Sequence, residues 1–189
     1  MNIPNVLKFF SFIYEKQNIY HKKEVLKLPP PWTDDEVLKR YHFCNVYLET
    51  DRGSRYLIET VLNKDYHPVM KFFNVITCRY FNQTGLFDKI FEEPLHPLKF
   101  DFTSMEKLLD DKIKNNVQLF NTAYVTCGRA YDKNYRKNDK HIQVLLILKD
   151  LADKIKDSPL FLQNIQIVGK PYQAIDILKR LHGIGDFMA

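Results

Sequence analysis

Between residues 42 and 52, polar side chains recur at helical spacing. His42, Asn45, Glu49 and Arg52 stand at i, i+3, i+7 and i+10, so one continuous helix would set them on a single stripe. A guanidinium can grip a phosphate bidentately, a carboxylate can orient that guanidinium or accept a proton, and an amide can pair with a base edge. Asp51 and Arg55 add a second acid and a second guanidinium within the same stretch. At helical spacing, Arg52 could hold a phosphate with Glu49 orienting it, and Asn45 could bind a base edge. The same spacing also fits a solvated helix face with a weak i,i+3 ion pair.

The segment Leu181-His182-Gly183-Ile184-Gly185-Asp186-Phe187-Met188-Ala189 carries a second pattern: apolar, any, Gly, apolar, Gly, three residues, Ala. Gly183 permits the positive φ that ends a helix. Gly185 removes a side chain where backbone N–H groups at the next helix start would meet a phosphate. Together with the apolar-periodic run from Tyr172 this reads as a helix-hairpin-helix over 171–189, which grips DNA by its backbone and carries no base preference. An ordinary helix–turn–helix without a ligand has the same outline.

Other signals are less specific. Arg129 to Lys140 interleaves cations, among them Arg129, Arg136 and Lys137, with Tyr131 and Tyr135. Such a run can meet phosphates and stack on bases, or simply be a solvated loop. Trp32 follows three prolines; it can staple the next helix onto a core or stack on an extruded base. The chain has no Gly-x-x-x-x-Gly-Lys-Ser/Thr segment, so it carries no P-loop of its own. It has no Cys-x-x-Cys, no His-x-x-x-His and no Gly-x-Ser-x-Gly, so neither a metal site nor a cofactor is expected.

Composition frames these motifs. With 189 residues, 45% hydrophobic and 14% aromatic, one core-forming domain is expected. The formal charge of +5 is compatible with a polyanion partner and does not require one. The three cysteines are far apart and read as reduced core thiols of a cytoplasmic protein. No apolar run reaches membrane-spanning length.

The elements that must position these residues read as helices nearly throughout. Apolar residues at Val6, Leu7, Phe10, Ile13 and Tyr14 predict an amphipathic helix over 4–17. Pro29-Pro30-Pro31 enforce an extended stretch, and Thr33 with Glu36 reads as a capping box opening a helix to about Leu62. Val37, Tyr41, Cys44 and Leu48 would be its core stripe. Further helices are expected over 65–81, with Pro68 in the first turn, over 103–114, opened by a second capping box, and over 141–156. Residues 86–102 read as loop with a short helix. The chain stops where the second hairpin helix has barely begun, which reads as one piece of a longer protein.

The run Pro31-Trp32-Thr33-Asp34-Asp35, followed by Tyr41-x-Phe43-Cys44-Asn45-Val46-Tyr47-x-Glu49-x-Asp51-Arg52-x-Ser54-Arg55, resembles a helical family from bacteriophage thymine-hypermodification systems. That family comprises the α-glutamyl/putrescinyl thymine pyrophosphorylases and the helical domain associated with 5-hydroxymethyluracil DNA kinases. The closing Gly183-Ile184-Gly185-x-Phe187-x-Ala189 is similar to the same family's hairpin. The resemblance implies an all-α domain of the helix-hairpin-helix DNA-glycosylase-like type, with residues 1–189 as the N-terminal part of a longer family unit. It implies DNA as partner, a separate P-loop nucleotide kinase that activates the base as a pyrophosphate, and exchange of that pyrophosphate for an amine or amino acid. A non-enzymatic module that positions such a kinase is the alternative. On this resemblance Asn45, Glu49, Asp51, Arg52 and Arg55 line the site: Glu49, Asp51 and Arg52 as candidate catalytic groups, Asn45, Arg55 and Trp32 as candidate substrate contacts, with Arg52 and Arg55 toward the leaving pyrophosphate and Glu49 or Asp51 as base or as an anchor for the amine.

Overall fold

In the computed structural model, residues 3–41, 43–121, 140–158, 175, 176, 178 and 179 are described. Among them every regular element is helical. The chain divides into two compact units, Met1–Arg55 and Tyr56–Ala189.

The first unit opens with α1, Ile3–Tyr20, which runs on through a π-helical turn, His21–Val25. The helix is therefore longer than the apolar periodicity predicts, because nothing before Leu28 in the sequence breaks it: the first prolines after the start are Pro29 to Pro31. A short helix, α2, spans Glu36–Arg40. Its N-cap is Asp35, not Thr33; the Asp35 carboxylate accepts from Val37 N and Leu38 N at 2.8 and 3.0 Å. Thr33 is buried and its hydroxyl accepts from Asp35 N at 3.2 Å, so the threonine supports the cap residue instead of serving as one.

The single helix expected from Asp34 to Leu62 is absent. Tyr41 is extended, with φ −111° and ψ 129°, and ends α2. A 3₁₀ turn, Leu48–Thr50, precedes α3, Arg52–Leu57, which passes into a second π-helical turn, Ile58–Leu62. The physical reason lies in the run Tyr41-His42-Phe43-Cys44-Asn45-Val46-Tyr47. All seven types fall in the weak half of the helix-propensity range, so nothing offsets the cost of carrying the helix through. Asp51 then starts a new helix by accepting from Gly53 N and Ser54 N at 2.9 and 3.1 Å. The expected core stripe fails with the helix: Val37, Tyr41, Cys44 and Leu48 are all exposed, and Leu38 is the residue of α2 that is buried.

The second unit holds the main core. Its helices are α4, Pro68–Phe81; α5, Leu86–Lys89; α6, Phe102–Lys114; and α7, Lys140–Asp157. Pro68 opens α4, where a missing N–H costs nothing. Asn82 closes it in the left-handed conformation, with φ +46°. α6 begins earlier than the Thr103 box predicts. Asp101 is its N-cap and accepts from Ser104 N at 3.0 Å.

α7 packs against α4, α6 and the 3₁₀ turn Pro97–Lys99; it is buried on most sides over 141–148, and beyond that it turns a charged face with Lys149, Lys154 and Lys156 to solvent. Phe73, Tyr80, Phe81, Leu109, Leu145 and Leu148 are fully buried there. Burying each such side chain contributes about 1.5–3 kcal/mol. Asn74 and Thr77 are polar residues fully buried on α4; Asn74 donates to Leu95 O and accepts from Leu95 N, both at 2.7 Å, tying α4 to the 86–102 segment. Cys78 is largely buried, and burial pushes its thiol pKa to about 12, so it stays a protonated, inert thiol.

No helix of the described residues is long and apolar enough to cross a membrane.

Candidate functional site

The first unit contains a cavity of about 670 Å³. Five of the sequence-predicted residues line it: Trp32, Asn45, Asp51, Arg52 and Arg55. They converge although the single helix meant to align them does not exist. The break at Tyr41 and the restart at Asp51 fold the 41–51 segment into one wall, while α3 presents Arg52 and Arg55 from its first turn onward. Glu49 does not line the cavity; it sits on the exposed 3₁₀ turn Leu48–Thr50. Gly183, Gly185, Arg129, Arg136 and Lys137, together with His42 and Cys127, lie outside the described residues.

Each lining residue is held by a definite local cause. The Trp32 indole N–H donates to Leu28 O at 2.7 Å, and its backbone carbonyl accepts from Lys22 Nζ at 2.9 Å. The indole donor is thus satisfied within the protein, and what remains for a ligand is the ring. Lys23 Nζ stands 5.6 Å from the centroid of that ring, a cation–π distance. Asn45 Nδ2 donates to Thr50 O at 2.7 Å and so shapes the turn, leaving its side-chain oxygen for other partners. Asp51 Oδ2 is committed to capping α3. The Arg52 side chain makes no hydrogen bond or ion pair among the described residues, and the residue is exposed.

The opposite wall comes from α1 and its π-helical turn, which supply Lys16, Tyr20, Lys23 and Glu24. Sequence reasoning missed these. Their signal was present: Lys16, Tyr20 and Lys23 stand at i, i+4 and i+7, one face of a helix that continues past residue 17. Lys16 Nζ donates to Phe43 O at 3.0 Å, and Phe12 meets Phe43 edge to face at 5.3 Å, so α1 pins the 41–51 wall. Burial lowers the Lys16 pKa, opposed by Cys44 and assisted by the like charge of Lys23. Burial pushes the Glu24 carboxyl up, but the hydrogen bond and charge of Lys23, with those of Lys27, outweigh it and hold the group below its ordinary value. Lys39 is paired with Glu36 at 2.8 Å.

The balance of the cavity is cationic and aromatic. Lys16, Lys23, Lys39, Arg52 and Arg55 face two carboxylates, and both of those are engaged: Glu24 by lysines and Asp51 by backbone N–H groups. Such a lining suits a planar, anionic ligand. Among the described residues no group of three or more His, Cys, Asp or Glu is arranged to hold a metal ion.

Residues 4–189 match the family described as 5-hmdU DNA kinase, helical domain. The chain belongs to this family. A curated relative, the 5-hmdU DNA kinase of Bacillus phage SP10, is 28% identical over 161 residues, which cover 77% of this chain. The chain spans about a quarter, 25%, of that relative's length. No solved structure matches. Membership of the helical-domain family agrees with the all-α fold and with the resemblance carried by the segment from Pro31 to Arg55.

Proposed function

We propose that this helical domain serves the modification of DNA bearing 5-hydroxymethyluracil, and that the cavity of its first unit receives the modified base. The observation that carries this is the pairing of a fixed aromatic ring, Trp32, with an unengaged guanidinium, Arg52, in one cavity of a 5-hmdU DNA kinase helical domain. An extruded base would lie against the ring, where stacking is worth about 1–3 kcal/mol. Arg52, with Arg55, would face the 5-substituent.

The finer activity we propose is exchange of a pyrophosphate on that substituent for an amine or amino acid. The C–O bond to pyrophosphate breaks, a C–N bond forms, and the amine loses a proton. Arg52 and Arg55 would neutralise charge growing on the leaving group. A P-loop nucleotide kinase, elsewhere in a longer chain or in a separate one, would supply the activated base. The hairpin at 183–185 and the cations Arg129, Arg136 and Lys137 would hold the DNA backbone, in the host cytoplasm. Glu49 and Asp51 are the proposed acids; Asp51 caps a helix and Glu49 lies on an exposed turn, so the cations and the ring are the better-supported members.

That same commitment of both cavity carboxylates favours a second reading, a non-enzymatic module that presents the base to a kinase. Mass spectrometry of nucleosides from pyrophosphate-bearing DNA, incubated with the chain and candidate amines, separates the two. Exchange predicts an amine-bearing nucleoside that disappears with Arg52→Ala. A chain that binds the DNA and yields no such nucleoside is a module.

A further inference from the structure

Two rings on the cavity wall have no part in the chemistry proposed above. Tyr41 and Phe43 line the cavity with Trp32, and their centroids are 6.4 Å apart with the planes tilted by 51°. Phe12 of α1 meets Phe43 edge to face at 5.3 Å. Exposure rises along this row, from 38% at Phe12 through 42% at Phe43 to 63% at Tyr41. A large ring left this open forgoes much of the free energy that its burial would supply.

The row is fastened at both ends. The Phe43 carbonyl accepts from Lys16 Nζ at 3.0 Å, and Tyr41 N donates to Val37 O at 2.9 Å as the closing bond of α2. Phe12 buttresses Phe43, Phe43 buttresses Tyr41, and Tyr41 is the outermost and most open ring. Cations accompany it. Lys16 is tied to Phe43, Arg40 is exposed and directly precedes Tyr41, and Arg52 and Arg55 line the same cavity. An open, buttressed ring among cations fits a nucleotide: the base stacks on the ring while the phosphates meet the positive charges.

We infer that Tyr41, backed by Phe43 and Phe12, is a second base platform, which stacks the nucleotide next to the one in the cavity. The inference rests on the base-binding role proposed above. Stacking reads no base edge, so the subsite tolerates any neighbouring sequence. It does require a neighbour whose face is free. In a closed duplex that face is covered by the adjoining base, so the domain takes its base from a single-stranded or opened stretch of DNA.

The test uses the full chain and labelled single-stranded oligonucleotides that carry one 5-hydroxymethyluracil. In one strand both neighbours of that nucleotide are thymine; in the other both are abasic, so the phosphates are the same and only the stacking faces are lost. Anisotropy gives the affinity, and Trp32, the single tryptophan of the chain, reports the cavity by its emission. The thymine-flanked strand should bind about five- to a hundredfold tighter, and both strands should quench Trp32 at saturation. Tyr41→Ala should bind both strands as the parent binds the abasic one, and Tyr41→Phe should keep the gap. Pairing the thymine-flanked strand with its complement should weaken binding by about tenfold or more.

Equal affinity for the two strands, with Trp32 quenched by both, overturns the platform and leaves the base-binding role standing. No binding, or binding that leaves Trp32 emission unchanged, overturns both. A gap that survives Tyr41→Ala overturns the assignment to Tyr41. A duplex that binds as tightly as the strand overturns the need for a free neighbour. A parent that sediments as a dimer, separated by Tyr41→Ala, gives the row to a second copy and overturns the inference.

Discussion

The two units of this chain bury their side chains very differently. Tyr56–Ala189 encloses Phe73, Tyr80, Phe81, Leu145 and Leu148 with no exposure beyond 0%, and even its polar Asn74 is sealed by a pair of hydrogen bonds to Leu95. In Met1–Arg55 the buried side chains among the described residues are Leu38 and Thr33, while Phe10, Tyr14 and Leu48 are 60%, 68% and 78% exposed. The first unit is instead ordered by individual polar ties: Lys16 to Phe43, Lys22 and Leu28 to Trp32, Asn45 to Thr50, and two aspartate caps. Hydrophobic burial is non-directional and scales with area, so it makes the second unit a scaffold. Hydrogen bonds fix direction at little net stability, so they suit the first unit to orient a ring and its cations around a ligand.

This contrast breaks most visibly in the core. Leu148→Ala should cost about 2–5 kcal/mol in denaturant unfolding, because Leu148 is fully buried and its packed neighbours can close only part of the space left. A cost under 1 kcal/mol would mean that the second unit is not the scaffold. Asn74→Ala comes next, at about 1–3 kcal/mol, since it leaves Leu95 N and O without partners in a buried position.

A smaller effect sharpens the role of the caps. The Asp101 pKa is lowered by the hydrogen bonds at Ser104, side chain first and backbone second. A lowered folded pKa means the charged cap stabilises the fold above the ordinary carboxylate value near 4 and loses that contribution as pH falls through the folded pKa. Asp101→Asn should therefore unfold at a lower temperature than the parent at pH 7, with the gap closing in acid. A gap that stays constant from neutral pH into acid would remove the charge from the account.

At the bottom of the stability scale stands Arg52→Ala, expected to change unfolding by no more than about 0.5 kcal/mol while abolishing the proposed chemistry. Asp51 separates capping from catalysis: Asp51→Ser keeps a cap oxygen for Gly53 N and Ser54 N, and its activity should match the parent if the carboxylate only caps. Lost turnover with unchanged stability would return Asp51 to the catalytic group.

Much of the fold was legible because it is written in local signals. Pro68, the apolar face of 141–156 and the proline-rich 86–102 stretch each act within a few residues, and α4, α7 and the short α5 follow. Over 34–62 the apolar periodicity predicts one helix, and local propensity overrides it. Seven weak helix formers in a row ended α2, and Asp51 restarted the helix. Asp35 and Asp101, placed next to or near the threonines that matched a capping-box pattern, took the caps. Trp32, Asn45, Asp51, Arg52 and Arg55 line one cavity although the helix expected to align four of them does not form; their residue types and shared motif, not helical register, single them out in the sequence. Lys16 and Lys23 are not legible in the sequence as cavity residues: the apolar periodicity of α1 fades at residue 17, and Lys16 meets a partner 27 residues away, at Phe43 O.

The most direct test is amide hydrogen exchange on the full chain, with and without a saturating oligonucleotide that carries a single 5-phosphomethyluracil. If the first unit receives the base, protection should rise across residues 16–55 and stay unchanged in α4, α6 and α7. Saturated DNA binding with no gain in residues 16–55 would contradict it.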